Sequence, residues 1–315
     1  MNMSIRSEHI GDYNQVAEVI FDAFARENYT CEAILVDVHR RGRNFDPNLS
    51  LVAELDGRIV GHCLFYPHQI VVGGEQLTGV ALAPIAVAPK FQGRGIGGML
   101  IEEGHRRARE KGHKFAFLLG HPEYYPRFGY KPGMFGECAI EVDCSQYELD
   151  PDLKDNLVFL GASDILTSLW QYSHAGADLA IVPGNQLQEW KPNAAGVDAR
   201  VFGGDNKCAG YLRFVKKTGE IKEFAARGKF ASEHMLAWWA NQYGTTCRVP
   251  VHPDSRCGRE MLSGKPVLHR WGAAMIKILD NSCQEIVHYC QCMDAGNGKP
   301  GLMNWPAFYD VTEEA

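Results

Sequence analysis

The sequence predicts an α/β chain built on a mixed sheet and divided into two domains. Three observations predict it. Leu82 to Val87 is a nearly all-apolar run, as a strand buried on both faces requires. Helical and strand-like periods alternate through both halves instead of segregating. A chain of 315 residues is also longer than one hydrophobic core usually organises.

The elements follow in order. Ser4 to Ser7 reads as a short strand. Asp12 with Gln15 has the spacing of a capping box, and Val16, Ile20 and Phe24 recur at helical spacing, so a helix is expected over Asp12 to Ala25. Cys31 to Arg41 is a second helix. Leu51 to Leu55, the Asp56-Gly57 turn and Ile59 to Tyr66 form a hairpin, and Gly73-Gly74 marks another tight turn. After the strand ending at Val87, Ile96, Leu100, Gly104 and Ala108 give the next helix one apolar face, and Gly112 ends it. Lys114 to Leu119 is the next buried strand. The stretch from Cys144 to Asp155 is poor in apolar residues and reads as a linker, separating a domain over 1–145 from one over 156–315. The second half restarts with a helix at Ser163 to Ser173. Strands are expected at Ala199 to Phe202, Ala209 to Val215 and Glu220 to Ala225, then a helix at Ser232 to Gln242 and a strand at Cys247 to Val251. Ala273 to Leu279 is a closing strand, before a Gly/Pro-rich tail with an acidic end, Gly296 to Ala315.

Composition narrows the function classes. A hydrophobic fraction of 45% with 22% charged residues is that of a folded chain, not a disordered one. A net charge of −6 argues against nucleic acid as the partner and fits a cationic small substrate. No apolar run reaches the roughly 18 residues of a membrane span, and Met1 to Arg6 lack a secretion pattern. The expectation is a cytoplasmic protein with no membrane partner. Among the ten cysteines, Cys63 and Cys208 sit in strand-like runs as small buried hydrophobes. Cys283, His288, Cys290 and Cys292 cluster, but Cys-x-Cys without a second pair is poor metal-ligand spacing, so no metal is expected.

The segment with most chemical content is Val87-Ala88-Pro89-Lys90-Phe91-Gln92-Gly93-Arg94-Gly95-Ile96-Gly97-Gly98. A strand, a glycine-rich turn and a helix start present backbone N–H groups and a positive helix end to an anion, typically a phosphate. Three glycines alternating within so short a stretch exceed what an ordinary turn needs and allow close approach of a ligand to the backbone. Gly93-x-Gly95-x-x-Gly98 also matches the dinucleotide fingerprint. That reading requires an acidic residue ending the next strand. Here the strand runs into Leu119-Gly120-His121-Pro122, and Glu123 lies beyond the proline.

A second motif follows at Tyr124-Tyr125-Pro126-Arg127-Phe128-Gly129-Tyr130. Together the two segments resemble the GNAT acetyltransferases, most closely the YhbS-like branch, over roughly residues 1–140. The resemblance implies a GNAT fold in the N-terminal half and acetyl-CoA as co-substrate. It implies that the backbone of Ile85, Ala86 and Val87, on a strand splayed from its neighbour, pairs with the pantetheine arm. It implies that Gln92, Gly93, Arg94, Gly95, Ile96, Gly97 and Gly98 take the pyrophosphate, and that Tyr125 is the general acid. Arg94 either adds a contact or faces solvent, and Tyr124 is read as a core aromatic. The general base is not identified among His68, Glu75, His121 and Glu123. The expected reaction is direct attack of a primary amine, of a small molecule or a peptide, on the acetyl thioester. The alternative is a non-catalytic acetyl-CoA sensor.

The second half loosely repeats the order of the first. Ala226-Arg227-Gly228-Lys229-Phe230-Ala231 stands where a pyrophosphate turn would be but lacks its spacing. A degenerate GNAT-like domain without its own coenzyme is expected, with a different α+β lid or a lipid-carrier-like domain as alternative. Trp238, Trp239 and Trp271 are read as core rather than pocket. The acceptor and the oligomeric state, a homodimer included, are left open.

Overall fold

The computed structural model describes residues 3–25, 31–204 and 207–311. Met1, Asn2 and the acidic end of the tail, residues 312–315, lie outside them. The first elements are β1 (Met3–Ser7), α1 (Tyr13–Phe24), α2 (Cys31–Arg40) and β2 (Ser50–Leu55). Asp12 does not cap α1 as its spacing predicts. Its carboxylate accepts two hydrogen bonds from Arg6, at 2.6 and 2.9 Å, and one from His9 N–H at 2.9 Å. A bidentate guanidinium outcompetes the helix N–H groups, and the Asp12 pKa is held below its ordinary value. Gln15 instead accepts from Ile59 N–H at 3.2 Å.

Two long strands follow, β3 (Arg58–Val72) and β4 (Glu75–Val87), joined through Gly73-Gly74. Then come α3 (Ile96–Glu110), β5 (Phe115–Leu119) and the two-residue β6 (Lys131–Pro132). The expected face of α3 is buried, with Ile101 and His105 added. Its wet face carries Arg106 between Glu103 and Glu110.

Next come β7 (Phe135–Asp143), β8 (Lys154–Leu157), α4 (Ser163–Ser173) and β9 (Leu179–Val182). They are followed by β10 (Val197–Gly204), β11 (Lys207–Val215), β12 (Ile221–Ala226), α5 (Lys229–Tyr243), β13 (Thr246–Val249) and β14 (Gly264–Arg270). The sequence pattern does not reveal β7, β9 or β14, and the linker expected over Cys144 to Asp155 runs into the first two residues of β8. In β7 the acids made the run look polar, yet they alternate: Cys138, Ile140 and Val142 are buried, while Glu137 and Glu141 turn to Arg248. The chain ends with β15 (Ala274–Ile278), α6 (Gln284–Asp294) and β16 (Gly301–Leu302).

The compact units are discontinuous, unlike the expected contiguous halves. One comprises Met1–His68, Leu77–Pro132 and Gly272–Val287, the other Gln69–Gln76, Gly133–Trp271 and His288–Ala315. In the first unit β1 pairs with β2, β2 with β3, and β4 runs parallel to β5. β15 closes the far side of β5, antiparallel, from Ala274 opposite Leu119 to Ile278 opposite Phe115. The unit's core packs Leu51, Phe65, Leu100, Leu118 and Met275. In the second unit β8, β10, β11 and β12 form one antiparallel sheet, and β7 pairs with β13 and β14. Trp238 and Trp239 belong to a core with Phe202, Phe214 and Met235, and Trp239 donates to Gly219 O at 2.7 Å; Trp271 is exposed. The mixed α/β class stands. Among the described residues no helix is long and apolar enough to cross a membrane.

Candidate active site

The site lies in the first unit, where β4 leaves β5. Their parallel pairing covers Gly79–Ala81 against Phe115–Phe117. Beyond it β4 runs on to Val87 through Pro84, which has no N–H to give a neighbouring strand. Ala88 N–H donates to Val60 O at 3.0 Å, turning the chain into a short 3-10 turn over Pro89–Phe91. Gly93 and Gly95 follow with φ of +74° and +80°, a left-handed backbone that side chains with a Cβ rarely adopt. Gly95 is the N-cap of α3, and the first bond of the helix is Met99 N–H to Gly95 O at 3.1 Å. The N–H groups of Ile96, Gly97 and Gly98 therefore have no acceptor inside the helix.

A cavity of about 740 Å³ opens on this turn. Its walls include Ile85, Val87, Gln92, Gly93, Gly95, Ile96, Gly97 and Gly98 from the strand, turn and helix, and Tyr125 from the segment after β5. Ala86 and Arg94 stand apart from the lining. Ala86 points into the interior at 3% exposure, as alternation along a strand dictates. The Arg94 guanidinium folds back to donate to Lys90 O at 3.2 Å. Gln92 spends its backbone N–H on Pro89 O at 3.3 Å and its side-chain amide on Val87 O at 2.9 Å. It braces the turn, and the N–H groups left to face a ligand begin after it.

The opposite wall was only partly anticipated. Phe91, His121, Tyr124, Arg127 and Phe128 join the lining. Tyr124, expected in the core, is half-buried, and its hydroxyl rests where a Cβ on Gly97 would come within 2.9 Å. The absent side chain at Gly97 is thus what lets this wall approach the helix. Arg127 lies over the Tyr124 ring, 3.8 Å from its centroid. Among the described residues no carboxylate pairs with it, so its charge stays available to the cavity. Tyr124 and Arg127 belong to the recognised motif, but nothing short of the fold turned their side chains toward the cavity.

Tyr125 is 8% exposed and sits edge-on to Tyr124 and Tyr130, at 5.0 and 5.9 Å between ring centroids. Its ring occupies the space beside Gly120, where a Cβ would come within 2.2 Å. Burial raises its pKa further above the ordinary phenol value. Tyr130 is anchored by a 2.9 Å bond to His105 Nε2.

The four candidate bases separate. His121 lines the cavity and is exposed. His68 is buried beside Tyr66 and Phe117, and burial lowers its pKa to about 3. Glu123 is exposed and outside the lining, and Glu75 begins β4 at the exposed end of its hairpin.

The Cys/His cluster lies along α6, with Cys283 bonded to Glu285 and Cys292 3.5 Å from His288. Sequence reading overlooked a different set, Asp178, His252 and Asp254, whose donor atoms lie within 4.8 Å of one another. Asp254 N–H donates to His252 Nδ1 at 3.2 Å, which leaves the ring proton on Nε2, and Lys299 pairs with Asp254 at 2.5 Å. Of its two carboxylates, Asp254 is thus already paired with Lys299.

A family model, the acetyltransferase (GNAT) domain, matches residues 4–133. The uncharacterized N-acetyltransferase YjhQ of Escherichia coli K12 is 39% identical over 123 residues, covering 38% of this chain and 65% of that protein. The uncharacterized N-acetyltransferase YhbS of the same strain is 35% identical over 111 residues, covering 35% and 65%. The chain thus spans under two thirds of the length of these curated relatives. A crystal structure of a GCN5-related N-acetyltransferase from Anabaena variabilis aligns with a TM-score of 0.66 over 89% of this chain and 73% of its own, at 15% identity, a likeness of fold that extends across both halves. The N-terminal part of the chain, with its glycine turn at the head of α3 and its Tyr125–Tyr130 segment, is a GNAT acetyltransferase domain of the YhbS-like kind.

Proposed function

We propose that the chain is an acetyl-CoA-dependent N-acetyltransferase that moves the acetyl group to a primary amine by direct attack on the thioester. The observation that carries the reading is the cavity itself. It joins the free N–H groups at the start of α3 to the Tyr125 ring across one continuous lining.

In this reading the N–H groups from Gly93 to Gly98 and the positive end of α3 hold the pyrophosphate. Arg127 adds a charge from the facing wall. The backbone of β4 past Ala81, no longer engaged by β5, is left to pair with the pantetheine arm and to polarise the thioester carbonyl, as oxyanion-hole donors do. The amine attacks the carbonyl carbon and the C–S bond breaks. Tyr125 O–H protonates the departing thiolate; its raised pKa keeps it protonated at neutral pH. The attacking amine loses its proton to solvent or to His121, the one candidate base in the lining. The second unit is the proposed degenerate GNAT-like domain, and its β12–α5 connection is too short to repeat the glycine turn.

Thermal unfolding with acetyl-CoA, followed by thiol-release assays over a panel of small and peptide amines, tests the proposal. Acetyl-CoA at a hundred times its Kd stabilises a protein that binds it by about 2.7 kcal/mol. An unmoved Tm at saturation sinks the proposal. A shifted Tm with no thiol release for any amine favours a non-catalytic sensor.

A further inference from the structure

In the second unit, Cys144 follows the end of β7 and Cys247 lies in β13. The two strands are antiparallel, with Cys247 opposite Val142 and Cys144 N–H donating to Thr245 O at 2.7 Å. Cys144 is therefore two residues along from the position facing Cys247, and both side chains fall on the same face. That face is the core formed with Ile140, Phe214 and Trp239, where Cys144 is 1% and Cys247 7% exposed. Their sulfur atoms are 3.6 Å apart. Core packing alone would be met by any two small apolar side chains. What sets this pair apart is that two thiols 103 residues apart in the chain point at each other.

We propose that Cys144 and Cys247 are a modification site: mild oxidation by hydrogen peroxide closes them into an intramolecular disulfide that ties β7 to β13. A disulfide needs its sulfurs about 2.05 Å apart, roughly 1.5 Å closer than they lie here. The Cys144 thiolate is the nucleophile. Either sulfur can donate in this contact; with the Cys247 S–H donating, the Cys144 thiolate is favoured and its pKa is lowered. Its sulfur attacks one peroxide oxygen, the O–O bond breaks, and hydroxide leaves and takes up a proton as water. The resulting Cys144 sulfenic acid is then attacked by Cys247 sulfur. An S–S bond forms and a second water leaves. Two thiols are oxidised, one peroxide is reduced to two waters, and a dithiol reductant reverses the change.

The experiment uses the full chain. Reduced protein is treated with a few equivalents of hydrogen peroxide, residual thiols are alkylated, and the digest is read by mass spectrometry, with urea unfolding in parallel. The expected result is a peptide pair joined through Cys144 and Cys247. With it comes a rise of roughly 1 M in the urea midpoint, since the crosslink closes a long loop in the unfolded chain. Dithiothreitol erases both. Cys247→Ser abolishes the joined peptide and the rise. Should that variant fail to fold, the wild-type peptide map with and without dithiothreitol decides alone. Recovery of Cys144 and Cys247 only as separate alkylated or over-oxidised peptides overturns the proposal. So does a midpoint rise that survives in Cys247→Ser.

Discussion

The two halves of the chain each run a strand into a helix, and the two junctions differ in what lies between. From β4 to α3 the chain passes a 3-10 turn and two left-handed glycines, and a cavity of about 740 Å³ opens on the result. From β12 to α5 only Arg227 and Gly228 intervene, and Gly228, with φ 170°, is extended backbone open to any residue. The helices differ too. α3 buries one face, while α5 buries Ala231, Ser232, Met235, Leu236 and Trp239 around much of its girth, and Ser232 donates to Met261 O at 2.8 Å close to its start. A helix start becomes a ligand site when the chain before it keeps clear of the N–H groups. In the proposed reading, a connection of only two residues with no left-handed glycine leaves the same order of elements as scaffolding.

The hardest blow to that contrast is Gly95→Val. A β-branched residue at φ +80° is strained by at least 1–2 kcal/mol and reshapes the turn. The expected outcome is loss of more than about 100-fold in acetyl-CoA affinity, read by calorimetry. Next is Tyr125→Phe, which keeps the ring beside Gly120 and removes only the acid. It should lower kcat by about 100-fold or more with little change in Kd for acetyl-CoA. Unaltered turnover removes Tyr125 from the mechanism. The pH profile sharpens the same point. The protonated phenol is the active form, so rate is lost as pH rises through its pKa. Burial raises that pKa, so kcat should rise as the amine deprotonates and show no Tyr125-dependent fall below about pH 10. Arg127→Gln should weaken acetyl-CoA binding by about 10-fold in low salt, and by less as salt screens the exposed charge. The smallest effect belongs to the second junction. Gly228→Ala should leave acetyl-CoA binding unchanged and stability within about 0.5 kcal/mol, since a Cβ there meets nothing. Equal damage from Gly228→Ala and Gly95→Val would erase the distinction between the junctions.

Much of the first junction was legible because its signals are local. Gly93 and Gly95 announce positive φ, the α3 face repeats at helical spacing, and Gly112 ends that helix with φ +86°. α4 begins at Ser163 and ends at Ser173 as its pattern predicts. The misses have physical causes. Asp12 has the spacing of a cap, but Arg6 offers it a stronger bidentate partner. α6 and the residue before it carry Cys283, His288, Cys290 and Cys292, a stretch whose thiols have poor metal-ligand spacing and in which the sequence reading assigned no helix. Ala86 and Arg94 belong to the motif by position, yet strand alternation and a bond to Lys90 turn them from the cavity.

By itself the sequence determined the local chemistry: a turn that only glycines allow, a helix start with free N–H groups, and an aromatic segment one strand later. These depend on backbone dihedrals and on neighbours within a few residues. Tertiary structure decided which side chains face the cavity and where the first unit ends. Ala274–Ile278 is recognisable as a strand in isolation, but its place against β5, secured by Lys114 and Asp280 across 166 residues of sequence, is a non-local pairing that no local pattern encodes. Likewise, Tyr124 reaches its place because Gly97 carries no side chain, and Arg127 lies over the Tyr124 ring; no local pattern encodes either contact.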